Sequence, residues 1–181
     1  KWYEISTKLR KLHLSNSISS FRTMLKESVS LRMRSDVKIG SSLSGGLDSS
    51  SVVCLMDEIL NDQDDDSVDL NTVSSCFENK RYDEQEFIDC FDQNDRVCIH
   101  KVFPKFSEFQ SALSDIVWHQ DEPISSSSTY AHWAVFKKTK ELNIKVMLNG
   151  QGADEHLCGY PGSFLPTFLW SMILRLQFLK L

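Results

Sequence analysis

Ser44-Gly45-Gly46-Leu47-Asp48-Ser49-Ser50 is the stretch whose reading decides the fold. It follows a short apolar run, Val37-Lys38-Ile39-Gly40-Ser41-Ser42-Leu43. It precedes Val52, Val53, Met56, Ile59 and Leu60, which recur at i, i+1, i+4, i+7 and i+8 on one face of a helix. The order is strand, glycine turn, helix N-terminus. Two adjacent glycines let the backbone turn sharply and bring its N–H groups close to a ligand. Asp48, Ser49 and Ser50 are expected to cap the helix that starts there. A helix N-terminus behind a bare glycine loop favours an anion, because free N–H groups and the helix dipole both attract negative charge. The ligand this implies is a phosphate or pyrophosphate.

Other phosphate and nucleophile motifs do not fit. A Walker loop needs Gly-Lys, and no such pair occurs in the chain. A dinucleotide fingerprint needs three spaced glycines where two stand here, and a nucleophile elbow needs glycine at position 44, which is serine. A ligand-free glycine turn with a polar cap would explain a lone Gly-Gly. The full seven-residue string resembles the PP-loop of ATP pyrophosphatases, and in particular the asparagine synthase family.

A second stretch repeats the pattern. Ile144-Lys145-Val146-Met147-Leu148 is a strand candidate that runs into Asn149-Gly150-Gln151-Gly152-Ala153-Asp154-Glu155-His156-Leu157-Cys158-Gly159-Tyr160. This is again strand, glycine turn, acidic helix start. It resembles the Gly-x-Gly-x-Asp-Glu…Gly-Tyr segment of asparagine synthases, and two motifs in the right order are more specific than either alone. The resemblance runs from about Phe21 to Tyr160.

Composition sets bounds. The chain has 181 residues, 41% hydrophobic and 25% charged, as expected of a soluble globular domain with a real core. A formal net charge of −5 argues against a general nucleic-acid binder. Five cysteines without a Cys-x-x-Cys pair argue against a disulfide framework or metal cluster and for reduced, cytoplasmic thiols. No apolar stretch follows the basic N-terminal residue, so no signal peptide is expected.

Taken in order, residues 1–16 read as a linker from a missing N-terminal part. A core-packing helix is expected from about Ser17 to Arg32, with Ile18, Phe21, Leu25 and Val29 on one stripe. The acidic run 61–69 fails as a calcium loop, since Ser67 and Val73 stand where glycine and glutamate are needed, and reads as a solvated loop. Strands are expected over 70–77 and 97–102. Helices are expected from Tyr82-Asp83-Glu84 through Phe91, over 106–119 and over 130–142, with the serines 125–128 as loop and cap. Strands alternating with helices predict α/β architecture: an open parallel sheet flanked by helices with right-handed crossovers, and ligands at the strands' carboxyl ends. The domain proper is read as residues 17–163. Residues 164–181, apolar on nearly every side, read as the start of a helical C-terminal portion. Pro166, Arg175, Gln177 and Lys180 weigh against a membrane span and for a buried helix whose partners are missing.

The resemblance implies an ATP-dependent, amide-forming ligase. Aspartate is adenylated with release of pyrophosphate, and ammonia, drawn from glutamine by a missing glutaminase domain, then displaces AMP. It implies ATP contacts at Ser44, Gly45, Gly46, Asp48, Ser49 and Ser50 around the phosphates. Backbone contacts to adenine are implied at Ser42, Ser75, Asn149 and Gly150. It implies Mg²⁺ held by Asp48 and Asp154. Gln151 occupies a catalytic position where many family members have glutamate; glutamine can orient but cannot act as a base. Asp154 could instead serve its own helix as cap or dipole partner. Asp121-Glu122-Pro123 is a lesser candidate for substrate contact, with a plain turn as its alternative. His119 and His132 read as packing or surface residues, and His156 as a cleft-lining one. The family's glutaminase portion would precede residue 1 and a family lysine would lie past residue 181, so the chain reads as a fragment. The rivals are β-lactam synthetase-like enzymes and, from another class, a non-catalytic nucleotide-binding module. A homodimer is left open for the full-length form.

Overall fold

The computed structural model describes residues 14–63, 68–81, 83–124 and 126–174. Four strands, β1 (Ile39–Ser42), β2 (Leu70–Ser75), β3 (Val97–Val102) and β4 (Val146–Leu148), form one sheet. Its order is β3-β2-β1-β4, and every pair is parallel. In register, Ser41 of β1 lies between Thr72 of β2 and Leu148 of β4. The chain runs outward from β1 to β2 and β3, then returns to the other side of β1. The β1/β4 boundary is therefore the topological switch point, where an open parallel sheet leaves a crevice beyond its carboxyl ends.

Helix α1 (Leu14–Arg32) and helix α2 (Leu47–Asp62) cover one face. Val52, Val53, Leu55, Met56, Ile59 and Leu60 of α2 are buried with Leu43, Leu70, Cys76, Val97 and Leu148 in one core. Each such aliphatic side chain contributes about 1.5–3 kcal/mol by leaving water. Val29 of α1 joins this core, while Ile18 and Phe21 nearer its start are exposed. The helix is also tied across by Lys26, which pairs with Glu58 at 2.9 Å and Asp62 at 2.6 Å, and by Arg22, which pairs with Glu58 at 2.7 Å. Helix α1 thus packs with one half only, and Asp62 of the acidic run is the last residue of α2, exposed and paired with Lys26. Residues 64–67 of that run lie outside the described residues.

Alternate residues of β2 face the other way. There Val73 is buried, as is Val135 of helix α5 (Ser127–Glu141). Helix α4 (Phe106–Gln120) precedes α5. Of its apolar residues Phe106, Phe109, Leu113, Ile116 and Val117 only Ile116 is buried, and Phe106 is 88% exposed. The helix expected from Tyr82-Asp83-Glu84 is a single turn, α3 (Gln85–Ile88), passing into a 3-10 turn, Asp89–Gln93; Tyr82 lies outside the described residues.

The last two helices are α6 (Ala153–Leu157) and α7 (Pro161–Leu174). The 164–181 segment was expected as a buried helix. Helix α7 forms and begins earlier, but Met172 is its one buried apolar side chain among the described residues, and Leu165, Phe168 and Trp170 are more than half exposed. No described element packs over those side chains. No helix among the described residues is long and apolar enough to cross a membrane.

Candidate active site

The first glycine loop joins β1 to α2 and is closed by its own hydroxyls. Ser44 and Ser49 share a hydrogen bond of 3.0 Å between their Oγ atoms. The Ser44 N–H donates to Ser49 Oγ at 3.1 Å, the Gly46 N–H to Ser44 Oγ at 3.3 Å, and Ser49 Oγ to the Gly46 carbonyl at 3.2 Å. Gly45 takes a φ of 88°, a region L side chains rarely adopt. A Cβ there would also lie 2.9 Å from the Glu84 carbonyl.

Two sequence expectations change here. The cap of α2 is Gly46, with no side-chain cap bond, so Asp48, Ser49 and Ser50 sit inside the first turn. The Ser44 and Ser49 hydroxyls are engaged within the loop. The N–H groups of Leu47, Asp48 and Ser49 have no carbonyl partner upstream in the helix, whose first bond runs from the Ser50 N–H to the Gly46 carbonyl at 3.1 Å.

The second glycine loop leaves β4 and is pressed against the first. Ser42 Oγ donates to Asn149 Oδ1 at 2.6 Å, and the buried Ser41 Oγ donates to the Leu148 carbonyl at 2.8 Å. A Cβ on Gly150 would lie 2.8 Å from the Asp48 carbonyl carbon and 2.8 Å from the Ser49 nitrogen. Only a residue without a side chain allows this approach of backbone to backbone.

Beyond the strand ends opens a cleft of about 1240 Å³. Ser42, Ser44, Asp48, Ser49, Ser75, Asn149, Gly150 and Gln151 all line it. Ser75 Oγ is buried there with no hydrogen-bond partner. Gly45, Gly46, Ser50 and Asp154 lie outside its wall, the first three within the loop and helix turn behind it.

Asp154 is in the first turn of α6, whose N-cap is Gly152 and carries no side-chain cap bond, so Asp154 does not cap its own helix. The Tyr160 hydroxyl donates to Glu155 Oε1 at 3.2 Å. The negative charge of Glu155 first, then partial desolvation and the hydrogen bond to Glu155, and after these the charges of Asp154 and Asp48, raise the Tyr160 pKa. Carboxylates from both motifs therefore act on one hydroxyl.

The histidines exchange places relative to expectation. His132 lines the cleft from α5, and His156 does not. Helix α5 begins at Ser127, earlier than the expected start at Tyr130, and its N-terminal half lines the cleft through Ser127, Ser128, Tyr130 and His132. His119 Nδ1–H donates to the Asp115 carbonyl, 2.8 Å away, and the ring packs edge-on against Trp133. Asp121 ends α4 with a left-handed φ of 56°, which makes Asp121-Glu122-Pro123 a helix-terminating turn away from the cleft wall. Arg81, Asp83 and Glu84 line the cleft and were not singled out from sequence. Their signal was position alone, just past the carboxyl end of β2. Arg81 is the one Lys or Arg among the described lining residues.

A parallel α/β domain with two glycine loops closing one cleft at the switch point of its sheet is the architecture of a phosphate- or nucleotide-binding enzyme domain. The asparagine synthase profile matches residues 20–179, and the chain belongs to the asparagine synthase family. It is 35% identical over 162 residues to "Putative asparagine synthetase (glutamine-hydrolyzing) 2" of Methanocaldococcus jannaschii, covering 84% of this chain and 30% of that protein. It is 33% identical to asparagine synthetase (glutamine-hydrolyzing) 1 of Bacillus subtilis, covering 79% of this chain and 21% of that protein. Amidase chyE of Penicillium rubens is 30% identical over 79% of this chain and 22% of its own length. The chain spans between a fifth and a third of the length of these curated relatives.

Proposed function

We propose that this chain is the ATP-binding synthetase module of an amide-forming ligase that makes asparagine from aspartate. The observation that carries the reading is the seating of Gly150 against the Asp48–Ser49 peptide, which brings both family motifs to one cleft. In the first half-reaction the aspartate side-chain carboxylate attacks the α-phosphorus of ATP, and pyrophosphate leaves. Negative charge grows on the departing oxygens, and the first-turn N–H groups of α2 point at where it grows. Because these groups are fixed by the loop's own hydrogen bonds, they need little reorganisation as charge develops. In the second half-reaction ammonia attacks the acyl carbon, the bond from that carbon to the AMP phosphate oxygen breaks and AMP departs, and the attacking nitrogen loses one proton to solvent to give the amide. Glutamine hydrolysed by a separate module supplies the ammonia, within a cytoplasmic protein.

Ser42, Ser75, Asn149 and Gly150 form the adenine wall. Gln151 orients substrate through its amide and carries no proton in either step. Asp48 and Asp154 would hold Mg²⁺. Their donor chemistry fits, since Mg²⁺ takes oxygen ligands, commonly one or two carboxylates with phosphates completing the shell. When bound, the ion neutralises charge on the pyrophosphate oxygens.

The intact protein given ATP, aspartate and ammonium is expected to release AMP, pyrophosphate and asparagine in equal amounts. Release of ADP and phosphate would overturn the adenylating mechanism. ATP binding without any turnover would leave the module as a nucleotide-binding domain only.

A further inference from the structure

Helix α6 is five residues long and ends in a backward turn. Cys158 takes a left-handed φ of 60°, and its N–H bonds to the Asp154 carbonyl. The Gly159 N–H bonds to the same carbonyl at 3.0 Å. Paired bonds of this kind fold the chain back over the helix end. The result puts Gly159 against the side chain of Asp154. A Cβ on Gly159 would lie 1.8 Å from Asp154 Oδ1, 2.5 Å from its Cγ and 2.9 Å from its Cβ. No residue with a side chain fits there while Asp154 keeps its rotamer. The φ of Gly159 lies outside the left-handed region, so the need for glycine here is one of space rather than backbone freedom. Tyr160, next in the chain, bonds to Glu155 and keeps that neighbouring carboxylate within its own turn.

We propose that Gly159 is a positioning residue: its missing side chain is the seat that fixes the Asp154 carboxylate for the nucleotide-bound divalent cation. The inference rests on the reading of Asp154 as a ligand of that cation. A methyl group at position 159 must turn Asp154 about its χ1 bond and carry the carboxylate away from its present direction. The first loop, which binds phosphate through backbone, is untouched by that rotation. Gly159 therefore governs metal affinity and leaves metal-free nucleotide affinity alone.

The test is Mn²⁺ titration of the 181-residue chain, followed by electron paramagnetic resonance, with and without α,β-methylene-ATP. Gly159→Ala is expected to weaken Mn²⁺ binding in the nucleotide complex by about 10- to 100-fold, the range seen when groups that orient a metal ligand are lost. Its nucleotide affinity without metal should equal that of the unaltered chain. Gly162→Ala is the matched control, since a Cβ there meets nothing within 4 Å. On an Asp154→Asn background, Gly159→Ala should cost no further metal affinity, because the carboxylate through which it acts is gone. Unchanged metal affinity in Gly159→Ala, additive losses in the double variant, or loss of the fold in Gly159→Ala would each overturn the proposal. If Asp154→Asn alone binds Mn²⁺ normally, it is the assignment of Asp154 that fails.

Discussion

The two glycine loops share one pattern, strand to glycine turn to helix, and are held in place by unequal means. The first follows β1, which is paired on both sides by β2 and β4. It leads into a 16-residue helix with seven buried positions, and a ring of serine hydrogen bonds holds its shape. The second follows a three-residue strand at the sheet's edge and leads into a five-residue helix with no buried residue. Its order comes from what it touches: Ser42 on Asn149, Ser41 on the Leu148 carbonyl, Gly150 on the Asp48–Ser49 peptide. A loop built on its own core can be pre-set for a ligand. A loop leaning on another is set by that neighbour, and small changes at the contact should move it.

The sharpest way to break the comparison is at the carboxylate each loop provides. Asp154→Asn is expected to slow pyrophosphate release by the intact protein on the order of a thousandfold, about 4 kcal/mol of barrier, with circular dichroism unchanged. A slowing of less than tenfold would mean that the second loop contributes no charge to the reaction. Stability should divide the other way. Leu43→Ala, beneath the first loop and fully buried, is expected to lower unfolding free energy by about 2–5 kcal/mol in urea denaturation. Leu165→Ala on exposed α7 should stay within about 0.5 kcal/mol of the starting chain.

A finer contrast lies inside the second loop. Gly150→Ala forces the loops apart and should weaken ATP binding by about 10- to 100-fold, the equivalent of roughly 1–3 kcal/mol of overpacking. Gly152→Ala meets nothing within 4 Å but must hold a φ of 91°. It should cost about 1–2 kcal/mol of stability and little affinity. Equal effects of the two on calorimetric ATP affinity would dissolve the idea that contact, not conformation, sets this loop.

The smallest effect lies far from both loops. On β3, burial first and the Lys138 charge second lower the His100 pKa. The folded chain therefore resists protonation that the unfolded chain accepts near the ordinary imidazole value of about 6.5. Stability is full above that pH and falls as pH drops from there through the depressed folded value. His100→Gln, which keeps a partner for Asn71 3.0 Å away, should flatten the denaturation midpoint between pH 7 and 5 while ATP affinity keeps its pH profile.

Much of this was legible in the residues. Val52, Val53, Met56, Ile59 and Leu60 announced α2 by spacing, and all five are buried. The strand at 97–102 was bounded to the residue, and the two glycine motifs pointed to one cleft because parallel sheets place strand ends together. What spacing could not show was how each backbone atom is used. Asp48, Ser49 and Ser50 look like caps in sequence, yet Gly46 is the cap and carries no side-chain cap bond, because the chain enters helical geometry directly after the glycine pair. Arg81 reaches the cleft from the turn after β2, where no apolar pattern exists, and His132 from a helix whose apolar pattern says nothing about its polar face. Apolar spacing also overstated burial for α4 and α7, because a stripe records what a helix can cover and not what covers it.

The pairing of β4 with β1 has a consequence for how the cleft comes into being. Ser42 and Asn149, which bond across the crevice, are separated by 107 positions in sequence. Closing so long a loop costs entropy that only the finished pairing returns, and contacts of this range form slowly. During synthesis the first loop, its helix and β2 can assemble while the second motif has not yet left the ribosome. The nascent chain therefore carries one wall of the cleft without the other for as long as the next hundred or so residues take to emerge, at roughly 5–20 residues per second. Nucleotide cannot template the early steps by bridging both motifs. It can act only as a late lock, selecting chains in which the edge strand has already found its place.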